Sequence, residues 1–176
     1  DPIGVSLDSM DGDWGHANAL AVDNDGNILI SYRDWNQIWK INIETGERMW
    51  TLGENGDFNF KDDERLFNGQ HAVGKDSIGH YRLFDNGKKN RKSRLMSYQL
   101  HKDSAEPILS IPLPDDLYAD RMGNYQMLPN GNFLVCSPRS RSILVMDSEG
   151  KIDFHINVGI PDPYRAEYVP SFFSPR

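Results

Sequence analysis

Asp23-Asn24-Asp25-Gly26-Asn27 is a tight-turn sequence set between the apolar-rich stretches Ala17-Asn18-Ala19-Leu20-Ala21-Val22 and Ile28-Leu29-Ile30-Ser31-Tyr32. The same layout returns at Lys75-Asp76-Ser77-Ile78-Gly79 and at Leu128-Pro129-Asn130-Gly131-Asn132, which puts glycines at 26, 79 and 131, spacings of 53 and then 52 residues. Glycine adopts a positive φ at no steric cost, as such turns demand. A steady period near fifty, with several short strands in each period, is the mark of propeller blades. The expected fold class is all-β, a β-propeller with about three four-stranded blades present.

The blades are expected at residues 16–53, 70–113 and 123–158, with a Pro-rich tail over 159–176. Strands are read at 16–22, 27–33, 37–42 and 48–52, then at 71–73, 81–86, 93–100 and 108–112, then at 124–128, 132–136, 142–147 and 152–156. These are short runs rich in Ile, Tyr, Trp and Leu, divided by Gly-containing turns, as an antiparallel meander requires. The long acidic stretch from Gly53 to Gly69 reads as a functional loop. The tail, with Pro161, Pro163, Pro170 and Pro175, cannot be central sheet. It is expected to lie over one face or to pair at an edge.

At roughly fifty residues per blade the 176 residues supply a little over three blades, whereas closed rings use about four to eight. The chain also begins Asp1-Pro2, without Met. The expectation is therefore a piece of a longer polypeptide whose N-terminal portion provides the remaining blades.

A net charge of −7 and a pI near 5.1 disfavour nucleic acid, which needs a surplus of Lys and Arg on one face. The one basic cluster, Lys88-Lys89-Asn90-Arg91-Lys92-Ser93-Arg94, reads as a solvated loop. Cys136, in the run Phe133-Leu134-Val135-Cys136, reads as a small buried hydrophobe. No apolar run approaches the ~20 residues that span a bilayer. A metal is the weaker reading: His16 and His71 offer two sites for zinc or copper but no third ligand stands at a firm spacing, HExxH and CxxC patterns are absent, and Asp23 to Asn27 lacks the Glu that closes a calcium loop.

Four side chains stand out as candidate chemistry. His16 and Asn18 are two apart, so on an extended strand they would share a side. Arg33 ends the second strand of the same blade, and His71 begins the next. Asn18, His71 and Gly123-Asn124 fall at equivalent places, near the start of each blade's first strand. If those strands surround the propeller axis, His16, Asn18, His71 and Arg33 converge on an anion pocket. Each His read alone is more often a structural hydrogen-bonded residue, and Arg33 beside Asp34 reads also as an exposed ion pair. His80, His101 and His155 are placed in that structural or surface class.

The run Asp13-Trp14-Gly15-His16-Ala17-Asn18-Ala19, then Ile30-Ser31-Tyr32-Arg33 and Ile41 to Gly53, closely resembles the arylsulfotransferase family. So do Gln70-His71, Leu83-Phe84-Asp85-Asn86-Gly87 and Gly123 to Asn132. The resemblance implies a six-bladed propeller, of which this chain would be the C-terminal half. It implies transfer of a sulfuryl group from a phenolic sulfate ester to a phenol, with no nucleotide sulfate donor and no cofactor. His71 would be the transiently sulfated nucleophile, and His16, Asn18 and Arg33 would hold the sulfate oxygens. A further family histidine belongs to an earlier blade, and where the family usually has a His after the Arg, this chain has Asp34. Trp14, Tyr32 and Trp35 near the rim are candidates to stack on aryl rings. The implied partners are an aryl sulfate donor and a phenolic acceptor, a homodimer is compatible, and the implied location is periplasmic or otherwise exported. A propeller that binds an anion or glycan without turnover, and a hydrolase with water as acceptor, stand as rival readings.

Overall fold

The structure, a computed structural model, describes residues 14–60, 66–76 and 78–170. Among the described residues, twelve strands form three antiparallel sheets of four. The first holds β1 (Ala17–Val22), β2 (Ile28–Tyr32), β3 (Gln37–Ile41) and β4 (Arg48–Gly53). The second holds β5 (His71–Lys75), β6 (Tyr81–Asp85), β7 (Arg94–Leu100) and β8 (Ala105–Pro112). The third holds β9 (Asn124–Met127), β10 (Phe133–Ser137), β11 (Ser142–Met146) and β12 (Ile152–Asn157). In each sheet the strands follow in chain order, and β5 lies beside both β1 and β9. The three first strands are thus neighbours, as the inner strands of successive propeller blades are.

The repeated turns recur as one hydrogen-bonded unit. The N–H of Gly26 donates to the carbonyl of Asp23 at 2.9 Å, that of Gly79 to Asp76 at 3.2 Å, and that of Gly131 to Leu128 at 2.9 Å. All three glycines have positive φ, between 83° and 96°. A side chain at any of them would be strained, which is why glycine keeps the period.

Two cores lie between the blades. Leu29, Ile38 and Leu52 of the first blade meet Val73, Tyr81, Leu83, Met96 and Tyr98 of the second, together with Phe67. On the other side of the second blade, Phe84, Leu95 and Ile111 meet Tyr125, Phe133, Val135, Leu144 and Met146 of the third. The middle blade buries both faces, so Leu83-Phe84 and Leu95-Met96 read as continuous apolar pairs where a one-faced strand would alternate. The outer face of the first blade leaves Leu20 and Val22 exposed, and the third blade leaves Phe154 and Ile156 exposed.

A buried charge cluster reinforces the first core. Lys40 Nζ sits 2.6 Å and Lys75 Nζ 2.8 Å from the fully buried carboxylate of Asp23, which also accepts from the Tyr81 hydroxyl at 3.0 Å. Asp23 is therefore engaged by lysines, as befits a hairpin turn rather than a calcium loop.

Two details depart from expectation, and the tail takes up a place at a sheet edge. β1 begins at Ala17, because Gly15 (φ 67°) and His16 (φ 50°) form a left-handed turn before it. The Gly53 to Gly69 stretch is largely structural where it is described: Phe58 and Phe60 pack on the first core, and Asn59 bridges to Ser104. The tail forms no strand over 159–170. It runs along β9 instead, with the Gly123 N–H donating to the Tyr164 carbonyl and Asn124 bonding Ala166 through both its amide atoms. Pro175 lies outside the described residues.

Candidate active site

His71 opens β5 opposite Phe84, at a bulge that extends to Gly74, and the residue is 3% exposed. Asn124 sits opposite Cys136 in the third blade, and Asn18 lies in the β1 bulge beside Ser31. The three do occupy equivalent positions on the inner strands.

The imidazole of His71 is held at one nitrogen. Nδ1 lies 2.7 Å from Oδ1 of Asn86 and 3.2 Å from the carbonyl oxygen of Gly69. The Asn86 amide is oriented by its other end, where Nδ2 donates to the carbonyls of Ala119 and Met122 at 2.8 and 3.0 Å. Both atoms facing Nδ1 are therefore acceptors, so Nδ1 carries the proton and Nε2 keeps its lone pair. Burial pushes the His71 pKa down, the Asn86 and Gly69 bonds oppose this, and the Arg33 and His16 charges lower it further. The ring is neutral at physiological pH.

Arg33 follows β2 directly. Its backbone N–H donates to the His16 carbonyl and that of Asp34 to the Gly15 carbonyl, each at 3.1 Å, which fastens the turn before β1 to the end of β2. Its Nε lies 2.8 Å from Oδ1 of Asp34, leaving the terminal nitrogens for other work. The Arg33 bond holds the Asp34 carboxyl below the usual range. His16 acts electrostatically on both Asp34 and His71, which places it in the same neighbourhood.

Asn18 joins the group through the backbone: its Nδ2 donates to the carbonyl of Gln70 at 2.7 Å, while its Oδ1 is buried without a partner. Gln70, fully buried, bonds through Nε2 to Ser31 Oγ and to the carbonyls of Tyr32 and Gln37. The residue before His71 is thus bolted into the first blade. The structure brings Arg33 and His16 within electrostatic range of His71, and Asn18 bonds Gln70, the residue that precedes His71. His16 and Asn18 do not share a strand face as the two-residue spacing predicts, because the turn at His16 and the bulge at Asn18 break the alternation.

Sequence reasoning missed two residues. A pocket of about 270 Å³ is lined by Arg33, Asp34, Asn36, Asn68, Gly69 and Lys88, and His71 is not part of its wall. Lys88 belongs to the basic loop, which is exposed over 88–92 as expected, and its stem passes where a Gly69 Cβ would stand. Arg94, which opens β7 just after that loop, pairs with the buried Asp85 at 2.6 Å. Asn86 also escaped, although a signal existed: it follows β6 as Arg33 follows β2.

The aromatic residues near the rim pack on one another. Tyr32 and Trp35 stack at 4.8 Å, Trp35 and Trp39 at 5.5 Å, and Trp14 meets Trp35 edge-on at 4.5 Å. The other histidines hold local bonds: His80 with Asp76, His101 with Glu106, and His155 with Ser142. Among the described residues, no group of three or more His, Cys, Asp or Glu comes together to hold a metal, and no helix is long and apolar enough to cross a membrane.

The family model for arylsulfotransferase (ASST) matches residues 7–159. The chain belongs to the arylsulfotransferase family. No curated protein matches it. Solved structures similar to this arylsulfotransferase-family chain include a streptogramin B lyase, at 14% identity and TM-score 0.53, covering 88% of this chain and 45% of that one. A catalytically inactive virginiamycin B lyase from Staphylococcus aureus with quinupristin is similar at 9% identity and TM-score 0.52, with the same coverage of 88% and 45%. The PQQ-bound aldose sugar dehydrogenase from Streptomyces coelicolor is similar at 15% identity and TM-score 0.50, covering 77% of this chain and 45% of that one. At these identities the likeness concerns fold alone. The chain spans 45% of the length of these three structures.

Proposed function

We propose that this chain carries the nucleophile and anion-binding groups of an aryl-sulfate sulfotransferase, which moves a sulfuryl group from a phenolic sulfate ester to a phenol through a transient sulfohistidine at His71, with no nucleotide sulfate donor. The observation that carries the reading is the His71 ring, neutral and buried, with Nδ1 committed to Asn86 and Gly69 and with the charges of Arg33 and His16 felt at the ring.

In the first half-reaction the lone pair of Nε2 attacks sulfur, and the aryl oxygen departs with the electron pair of the S–O bond. The terminal nitrogens of Arg33 hold the non-bridging oxygens, Asn18 and His16 supply further polar contacts, and His16 gives a proton to the leaving phenolate. In the second half-reaction the acceptor phenol returns a proton to His16, its oxygen attacks sulfur, and the S–N bond pair goes back to Nε2. Positioning and electrostatics dominate, as in phosphoryl transfer. Six blades in all are part of the proposal, supported by the apolar outer faces at Leu20, Val22, Phe154 and Ile156. A periplasmic or otherwise exported setting also belongs to it, on family membership alone.

The test is to incubate the intact protein with a chromogenic aryl sulfate and no acceptor. One sulfuryl mass on the peptide bearing His71, lost in His71→Asn, is the expected result. Full transfer by His71→Asn would end the reading, and turnover that ignores added phenol would reassign the site to hydrolysis.

A further inference from the structure

Asn86 is fully buried, and each of its amide atoms has a defined partner: Oδ1 faces Nδ1 of His71 at 2.7 Å, and Nδ2 is spent on the carbonyls of Ala119 and Met122. The amide cannot rotate by half a turn without setting its NH₂ against the ring N–H and its oxygen against two carbonyls. Its orientation, and with it the tautomer of His71, is fixed from the third-blade side of the sheet.

We propose that Asn86 is a positioning residue that directs the sulfuryl group to Nε2 of His71 and, lacking a basic atom, keeps the Nδ1 proton on the ring while the group is attached. The inference rests on the transfer reading. Loading makes an S–N bond at Nε2 and breaks the aryl S–O bond, giving a ring that bears one positive charge beside a sulfonate bearing one negative charge. With Nδ1 still protonated, the S–N bond breaks in the second half-reaction by expelling neutral imidazole, a good leaving group. A carboxylate at this position would accept the Nδ1 proton from the sulfated ring. The departing group would then be the far more basic imidazolate, and the sulfated enzyme would stall. An amide in place of the familiar carboxylate partner of a histidine therefore suits a ring that must release what it binds.

The experiment has two measurements on the intact protein. In resting wild type, ¹⁵N NMR of labelled histidine is expected to show His71 protonated at Nδ1 and bare at Nε2. Rapid-quench kinetics with a chromogenic aryl sulfate then separate loading from release in wild type, Asn86→Asp and Asn86→Ala. Asn86→Asp is expected to slow release to phenol by roughly 10–100-fold, the range for altering an orienting partner, while loading changes less, so that sulfated His71 accumulates. Asn86→Ala is expected to slow loading and to leave sulfuryl on both ring nitrogens. An Nε2–H tautomer in wild type overturns the proposal without any variant having to fold, and so does an Asn86→Asp protein in which both half-reactions slow equally. Absence of sulfuryl on wild-type His71 overturns the transfer reading and Asn86's role in it, and the tautomer measurement tells that failure apart from a misassigned ring.

Discussion

The side-chain amide of Asn18 donates a 2.7 Å hydrogen bond to the backbone carbonyl of Gln70, fastening the inner strand of the first blade to the residue that precedes His71. Removing that donor in Asn18→Ala leaves a carbonyl without its side-chain partner, at an expected cost of about 1–3 kcal/mol. A lower melting temperature together with slower sulfuryl loading is the expected pair of results. Unchanged loading would show that the fastening does not govern the placement of His71.

Asp34 competes with substrate for Arg33. The 2.8 Å bond to Nε occupies one edge of the guanidinium, and the carboxylate sits where an incoming anion is repelled. Asp34→Asn should alter stability by less than about 1 kcal/mol, as exposed pairs do. It should tighten binding of an aryl sulfate several-fold, and Arg33→Lys should weaken it, because Lys lacks the planar fork that grips two oxygens. Titration calorimetry at two salt concentrations checks both, and equal affinity in all three proteins would exclude Arg33 from the anion site.

The pH response of His71 has a definite sign. Its folded pKa lies below the ordinary value of 6.5, so the unfolded chain takes up the proton first as pH falls. The ring's contribution to stability is complete above 6.5 and is lost as pH falls from there through the lower folded value. Loading from an activated aryl sulfate, whose phenolate leaves without a proton, should follow the neutral ring, staying flat through 6.5 and declining only in more acid buffer. Single-turnover rates across this range provide the check; a midpoint at or above 6.5 would contradict the buried, neutral ring.

The Asp23 cluster should dominate acid stability. Burial works to raise the Asp23 pKa, but its bonds to Lys40, Lys75, the Asn24 N–H and Tyr81 hold it well below the ordinary 3.8. Its contribution is therefore present above 3.8 and is lost as pH falls through the lower folded value. Asp23→Asn takes the buried carboxylate from Lys40 and Lys75 and leaves Lys40 its more exposed partner Asp25 at 2.6 Å, so the cost should stay below the roughly 3–5 kcal/mol of an uncompensated buried charge. Urea unfolding at neutral pH and in acid measures this: the wild type should lose its advantage over Asp23→Asn in acid, and a constant gap between the two would refute the account.

The period of the turns made the blades legible, because Gly26, Gly79 and Gly131 are locally required by their φ angles. Strand limits mostly followed to within a residue or two. β8 starts at Ala105, earlier than its sequence indicates, because Ala105 to Pro107 pair with Leu100 to Tyr98 of β7 and the Ala105 N–H also donates to the Asn59 carbonyl. Blade register was legible where residue type and turn spacing sufficed, as for His71 at the start of β5 and Asn18 in the β1 bulge. The site was not legible where the contact is long-range: nothing near Asn86 in sequence announces Ala119 and Met122, and nothing near Lys88 announces Gly69. His16 shows the complementary failure, since a left-handed turn cancels the side-to-side logic of a strand.

The tail that follows β12 also touches the far end of the arc: the Tyr164 hydroxyl donates to the Asn18 carbonyl at 3.3 Å while its own backbone is bonded to Gly123. That segment is a chord drawn across a bow. The length of chain between the last strand and Tyr164 thereby constrains how wide the bow opens, and so the aperture through which anything reaches the inner strands.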